Sequence, residues 1–314
     1  MQRKKHPAVD FAIAPEQGVT RDGQPLSYNR APASDLAPWI GRLYVTKVNA
    51  PSDYTLSCGL FNDTAVIRIQ LAGHWTAETA SGHEEFGKAA LFFGPQTRRM
   101  PVTVTGSFIS VGMALRPGTT TALHGPRVGD FLDGLVLTSV VAMPSEKILE
   151  ALAVDGTPED WLQTLETLFR RRVEHMDGAL PDMISSRFEE LAFSNPGISV
   201  ADAARECGIE RRKLERVVSR DFGMPPKQFL RRARALDMAS HLRGVADKDE
   251  ADEIALRYYD ESHLIHEFTE LFGMSPRQFV RMPQPILTLA LESRQARRLE
   301  ALKRIKPGQN RPWE

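Results

Sequence analysis

The spacing of hydrophobic positions changes character along this chain and divides it into segments. Residues 1–34 mix proline, glycine, aspartate, arginine and glutamine with little periodicity, which predicts a flexible leader. From Leu36 to about Ala142, short apolar and β-branched runs alternate with turn residues. The runs 43–48, 65–71, 89–93, 101–105 and 108–115 predict strands. Ala72-Gly73, Ser81-Gly82, Gly94-Pro95 and Arg116-Pro117-Gly118 predict the turns that separate them. Strands this short and this closely spaced predict a small antiparallel barrel or sandwich.

After Pro144 the period becomes helical. Thr157-Pro158-Glu159-Asp160 is a helix start, with a hydroxyl to cap, proline at the first helical position and carboxylates in the first turn. Trp161, Leu165, Leu168, Phe169 and Val173 then fall on one face. A second helix is predicted over 181–193, broken by Ser194-Asn195-Pro196-Gly197. The two form a helical connector, 143–193.

An internal repeat follows. Asp221-Phe222-Gly223-Met224-Pro225-Pro226-Lys227-Gln228-Phe229-Leu230-Arg231 aligns with Leu271-Phe272-Gly273-Met274-Ser275-Pro276-Arg277-Gln278-Phe279-Val280-Arg281 at a constant offset of 50, with seven of eleven positions identical. Two copies of one supersecondary unit explain this. In the first copy, a short helix over 200–206 carries Ala203-Ala204 on its inner face, and Cys207-Gly208-Ile209 makes the turn. A second helix over 211–221 points Leu214, Val217 and Val218 inward. Residues 228–242 predict a long linking helix, and 261–271 the matching second helix of the other copy, with Leu264 and Phe268 inward. The fold class is therefore α+β and multidomain. It comprises a β-rich, barrel-like N-terminal domain (35–142), the connector, and an all-α tandem helix-turn-helix domain (194–282). A C-terminal tail (283–314) ends it, an amphipathic helix followed by a basic end with Lys303, Arg304, Lys306 and Arg311, read as solvated, with bracing of the DNA-binding domain or contact with phosphates as the alternatives.

The repeat resembles the DNA-binding domain of AraC-type (AraC/XylS) regulators. The residues that carry the likeness are Tyr258-Tyr259-Asp260-Glu261-Ser262-His263-Leu264, Phe268 and Phe272-Gly273-Met274-Ser275-Pro276. Arg257 departs from it, standing where the family has its turn glycine, and the Ile-Ala pair within 252–256 is displaced. More weakly, Gly94-Pro95-Gln96-Thr97-Arg98, Val111-Gly112-Met113 and Arg116-Pro117-Gly118 resemble the β-rich sensor-like domain that precedes the DNA-binding domain in a subset of the family. The resemblance implies sequence-specific binding of double-stranded DNA and control of transcription, as activator or repressor. It also implies an N-terminal domain that receives a small-molecule effector or forms a homodimer, and contact with RNA polymerase. Carried over position by position, Arg212, Glu215 and Arg216 would touch base edges on the first recognition helix. Ser262, His263 and His266 would do so on the second. Arg211, Lys213, Arg220, Lys227 and Arg231 would hold the DNA backbone.

Charge sharpens this. Lys+Arg and Asp+Glu both total 40, so the chain as a whole is neutral. Residues 194–243 nevertheless carry eleven Lys/Arg against six Asp/Glu, whereas 244–282 carry four against nine. The first unit is expected to dominate phosphate binding. The two cysteines, Cys58 and Cys207, are too few for a disulfide framework or zinc knuckle, which fits a reducing compartment. With no signal-peptide run and no 18-residue apolar stretch, the expected place is the cytoplasm, away from membranes. Two other readings stand beside this one. A metal-binding barrel enzyme would use His74, His83, Glu84, Glu85 and His124, but it lacks a His-x-His pair. There is also no Gly-x-Ser-x-Gly elbow, phosphate-cradling glycine loop or Cys-x-x-Cys, so neither catalysis nor a cofactor or metal is expected. An interaction protein with a decayed second helix-turn-helix would account for the acidic second unit and Arg257.

Overall fold

The computed structural model describes residues 6–247 and 261–314, the side chains of 261–263 excepted. The expected segment 252–256, Lys248, Arg257 and 258–260 lie outside the described residues, as do the side chains of Ser262 and His263.

Among the described residues nine strands join one antiparallel sheet: β1 (Ala14–Pro15), β2 (Tyr28–Arg30), β3 (Ile40–Asn49), β4 (Thr55–Leu60), β5 (Val66–Thr79), β6 (Gly82–Phe86), β7 (Ala89–Phe93), β8 (Met100–Leu115) and β9 (Leu135–Leu137). The main path runs β1-β3-β8-β5-β7-β9, with β2, β4 and β6 added to β3, β8 and β5. Its two ends do not pair, so the β-rich domain is a bent open sheet and not a closed barrel.

The bend comes from two glycines. The predicted turn at Ala72-Gly73 lies inside β5, and the predicted strands 101–105 and 108–115 are one strand, β8. Gly73 and Gly106 take positive φ (+99° and +72°), and the β5–β8 register shifts between Gln70 and His74. A bulge of this kind turns the strand without ending the ladder. Each long strand therefore serves two partners in succession: β8 pairs with β4 and then β3, while β5 pairs with β7 and then β6.

Period-two alternation separates the faces. Leu43, Val45, Ile67, Ile69, Val111 and Met113 form one core with α3 (Pro158–His175), which follows α1 (Thr119–Ala122) and α2 (Ser145–Ala151). The predicted Thr157 cap of α3 is present, and Asp160 answers it to form a capping box. Tyr44, Val48, Val66, Leu91, Phe93 and Phe108 face the other way, toward the C-terminal helices. α4 (Met183–Ser194) packs instead with the first helix-turn-helix, where the rings of Phe188, Phe222 and Phe229 meet. That unit consists of α5 (Val200–Glu206) and α6 (Arg211–Phe222), and α7 (Pro226–Leu242) leads from it to α8 (Glu261–Phe272) and α9 (Pro276–Arg281).

Two expectations are corrected at the chain ends. The leader is built into the fold over 6–34: β1 and β2 pair with β3, and Arg30 is ion-paired with Glu159 and Glu166 of α3. Nor is the tail a solvated helix. α10 (Pro285–Ala301) buries residues on nearly every side, including Leu287, Leu291, Glu292, Arg294, Gln295 and Arg297, between the sheet and α7. Its polar side chains are matched one by one with groups from distant segments. Arg294 bridges Asp63 and Asp237, Arg297 reaches Asp63, Glu300 meets Arg42, and Glu292 accepts from Asn29 and Arg311. Buried charges are tolerated only with partners of this sort.

Candidate nucleic-acid interface

The first helix-turn-helix is held by local chemistry. The Ser199 hydroxyl accepts from the Asp202 amide to start α5, and Gly208 takes φ +66° in the turn, with no atom within 4 Å of where a Cβ would lie. Leu214, Val217, Val218 and Phe222 seat α6 in the core. α6 spans 211–222 and α8 spans 261–272, equal lengths displaced by the repeat offset. Gly223 and Gly273, with φ +75° and +69°, stand just beyond their ends. For these second helices and the glycines that follow them, the duplication seen in sequence is thus a duplication of structure.

The outward side of α6 carries Arg211, Arg212, Lys213 and Arg216, all exposed, with Glu215 half-buried among them. Arg211 Nε donates to Glu215 Oε1 at 2.8 Å, an i,i+4 pair that occupies the glutamate. Arg212, Lys213 and Arg216, with exposed Lys227 at the start of α7, have no ion pair among the described residues. On α8, His266 is exposed, while Leu264, Phe268, Leu271 and Phe272 are buried.

Other cations of the domain are engaged inside the protein. Arg220 is bound by Asp221 (2.7 Å) and Asp182 (3.1 Å), chiefly the Asp221 hydrogen bond raising its pKa above the ordinary arginine range. Asp221 is itself buried and accepts from the hydroxyls of Thr121 and Ser185 at 2.9 and 2.6 Å. This cluster ties the C-terminal end of α6 to α1 and α4. Arg231 is half-buried between α7 and α8, paired with Glu267 and Glu270, and its hydrogen bond to Glu270 raises its pKa. Arg232 and Arg243 are fully buried, where desolvation pushes each down to about 10. Arg232 donates to the carbonyls of Gln96 and Asp63, and Arg243 to Gln24 Oε1 and the Ala8 carbonyl. The surplus of positive charge in 194–243 is therefore partly structural, and its exposed cations without an ion pair among the described residues are Arg212, Lys213, Arg216 and Lys227. No sequence signal marked Asp221, because its partners Thr121 and Ser185 lie 100 and 36 residues away.

Of the histidines weighed for a metal, His74 and His83 are on the exposed β5–β6 hairpin, whereas His124 lies apart, in the turn after α1. His83 bonds Glu78 at 2.7 Å and lies 3.4 Å from Glu85, and no group of three or more metal-ligating residues with suitable placement occurs among the described residues. Nor is any described helix long and apolar enough to cross a membrane.

Residues 203–282 match a family model described as a helix-turn-helix domain. A search of curated proteins finds no match. Among solved structures the chain is similar to ToxT from Vibrio cholerae (10% identity, 76% of this chain and 97% of that one, TM-score 0.44). It is also similar to ToxT from the same organism bound to an unsaturated fatty acid (12%, 76% and 93%, TM-score 0.42). A third is the AraC-like transcriptional activator CuxR (16%, 67% and 86%, TM-score 0.31). Likeness at this level leaves function to be argued from the residues.

Proposed function

We propose that this chain, which carries an AraC-type helix-turn-helix domain over residues 203–282, regulates transcription by reading double-stranded DNA with α6 as its principal recognition helix. The observation that carries the reading is the exposed face of α6, where Arg212 and Arg216 stand clear of every carboxylate among the described residues. A guanidinium in a major groove binds the O6 and N7 of guanine bidentately. Lys213, Lys227 and Arg211 flank it for phosphates. Glu215, while bound to Arg211, positions that arginine, and released from it would accept from a cytosine amino group. Ser262, His263 and His266 are the corresponding readers on α8. Arg220 and Arg231, held by internal carboxylates, brace the unit and leave backbone contact to the others.

Control of this activity would come through the β-rich domain. Support lies in its continuity with the DNA-binding unit: Asp63 in the β4–β5 loop is bound by Arg294 and Arg297 of α10, Arg294 also holds Asp237 of α7, and Thr121 holds Asp221 of α6. A ligand or second protomer acting on the sheet would bear directly on α6 and on α7, which leads to the second unit. RNA polymerase would be the downstream partner in the cytoplasm. A mobility-shift titration of the full chain on DNA selected from random sequence, repeated across salt concentrations, tests the reading. A log-linear fall of affinity with salt and a preferred sequence are expected. Salt-independent retention or the absence of any sequence preference would overturn it.

A further inference from the structure

We propose that the cavity between the inner face of the sheet and α10 binds a short-chain monocarboxylic acid, with Arg68 taking its carboxylate. This deepens the signal-receiving reading of the β-rich domain and rests on it for its consequence, though not for the site itself. The cavity has a volume of about 60 Å³. One water-sized position requires ~10–15 Å³, so there is room for about four to six non-hydrogen atoms, the size of a two- to four-carbon acid.

The sheet register explains why the site is polar. Tyr44 on β3 and Arg68 on β5 both stand opposite Gly112 of β8, and one row away Thr46 and Gln70 both stand opposite Ser110. A Cβ on Gly112 would lie 2.4 Å from the Tyr44 hydroxyl, so the glycine leaves space for the tyrosine ring to lean over it. The Arg68 guanidinium lies 5.4 Å from the ring centroids of both Tyr44 and Phe93. An inner sheet face that should be apolar thus carries arginine, glutamine, tyrosine and serine, all buried.

These groups are unsatisfied. Arg68, Tyr44, Ser110 and Asn62 line the cavity, and Arg68 Nε, the Tyr44 and Ser110 hydroxyls and Asn62 Nδ2 have no hydrogen-bond partner among the described residues. The contrast with neighbouring arginines is specific. Arg42, Arg294 and Arg297 also line the cavity, and they have Glu300, Asp237 and Asp63 as carboxylate partners. Arg68, 5% exposed, has no acid among the described residues. A buried cation without a counter-charge is strongly unfavourable against an apolar residue of the same size, and one carboxylate supplies the missing charge in the planar fork that guanidinium prefers. Val66, Trp75, Phe108, Ile286 and Leu289 complete the wall and suit a short carbon chain over a divalent inorganic anion. Because Leu289 belongs to α10, the acid would touch the helix whose Arg294 joins Asp63 to Asp237 of α7. Occupancy would therefore alter how α7 sets one helix-turn-helix against the other.

Calorimetric titration of the full chain with acetate, propionate, butyrate and lactate tests the site, with propionamide as the neutral isostere of propionate. Saturable binding of at least one acid, and binding of propionamide about tenfold weaker or more than that of propionate, are expected. Arg68→Met keeps the volume and removes the charge; it should melt no lower than wild type without ligand and lose acid binding. Should Arg68→Met not fold, Arg68→Lys and Ser110→Ala serve in its place, each weakening the acid while leaving the fold. Equal affinity of the acids for wild type and the Arg68 variants, or no saturable binding by any of the four, overturns the proposal and leaves a water-filled cavity. The same preparations in a mobility-shift assay separate the two readings. Acid binding without any effect on DNA removes control through the sheet, and DNA binding without acid binding removes the site alone.

Discussion

Arg212 and Arg216 differ from most cations of their domain in having no task inside the protein. Arg220, Arg231, Arg232 and Arg243 each hold a carboxylate or backbone carbonyls, so their loss would be felt as folding, whereas loss of Arg212 or Arg216 would be felt on DNA. Alanine at either is expected to cost roughly 1–3 kcal/mol of binding and to relax preference at one base pair, with the melting temperature unchanged. Selection from random DNA alongside a thermal melt reads both quantities. Two glycines allow a similar contrast within the fold. In Gly112→Ala the new Cβ would lie 2.7 Å from the Ile67 carbonyl as well as against the Tyr44 hydroxyl, in the middle of the sheet. A loss of about 1–3 kcal/mol is expected from overpacking. Gly208→Ala meets no atom and strains only a left-handed backbone, at about 1–2 kcal/mol, with no repacking. Denaturant melts on both variants, with the binding of short acids measured in parallel, separate them: only Gly112→Ala should also disturb the cavity.

At the scale of elements, a buried aspartate takes part in tying each of α10 and α6 to the β-rich domain, Asp63 for the first and Asp221 for the second. For Asp63, burial favours the neutral acid, but Arg297 and Arg294 outweigh it and hold the carboxyl below its ordinary value of 3.8. A carboxyl depressed in the folded state contributes stability that is present above its unfolded pKa and is lost as pH falls through the folded one. The melting temperature should accordingly drop as pH is lowered below about 4. Asp63→Asn should be less stable at neutral pH, on the order of 3 kcal/mol, and show a flatter acid limb. An identical acid limb in the variant would show that other carboxyls govern acid unfolding. On the DNA side, the salt slope should follow exposed cations and not the charge count. Replacing Lys213 and Lys227 together by glutamine should flatten it by about two ion equivalents, while Arg231→Gln, which breaks the α7–α8 tie to Glu267 and Glu270, should lower the melting temperature and leave the slope nearly intact.

For the whole molecule, the DNA-binding unit is not separable from the sheet at residue 180. Ile286, Leu287, Leu291 and Leu299 of α10 share a core with Leu56, Leu60 and Trp75, and Arg232 of α7 donates to carbonyls of the β-rich domain. A fragment of residues 180–314 would expose that apolar face and leave Arg294 and Arg297 without Asp63. It is expected to melt lower than the full chain and to associate, as read by light scattering during a thermal ramp; a monomeric fragment with the full chain's melting temperature would contradict this coupling. The mode of docking is therefore to be footprinted on the full protein. α7 has 17 residues and spans about 25 Å at 1.5 Å per residue, short of the ~34 Å between successive major grooves, and the widths of the two units supply the remainder if both insert.

What sequence alone determined were the features written in short-range chemistry. The repeat fixed the bounds of α6 and α8, because glycine at 223 and 273 and the apolar spacing within each helix are local facts. The Thr157 cap, the 200–206 helix and the Arg212–Arg216 face were legible for the same reason. What tertiary structure decided were the features that depend on partners far along the chain. Gly73 looks like a turn and Gly106 like a break between two strands in sequence, and both became bulges, since only pairing with neighbouring strands keeps β5 and β8 continuous through them. The basic, moderately polar stretch 285–301 looks solvated until Asp63, Asp237, Arg42 and Asn29 are placed around it. Arg68 is the sharpest case. Its alternation with Ile67 and Ile69 marks an ordinary solvent-facing strand position, and only the arrival of α10 from the far end of the chain encloses that face and leaves a guanidinium buried without an acid.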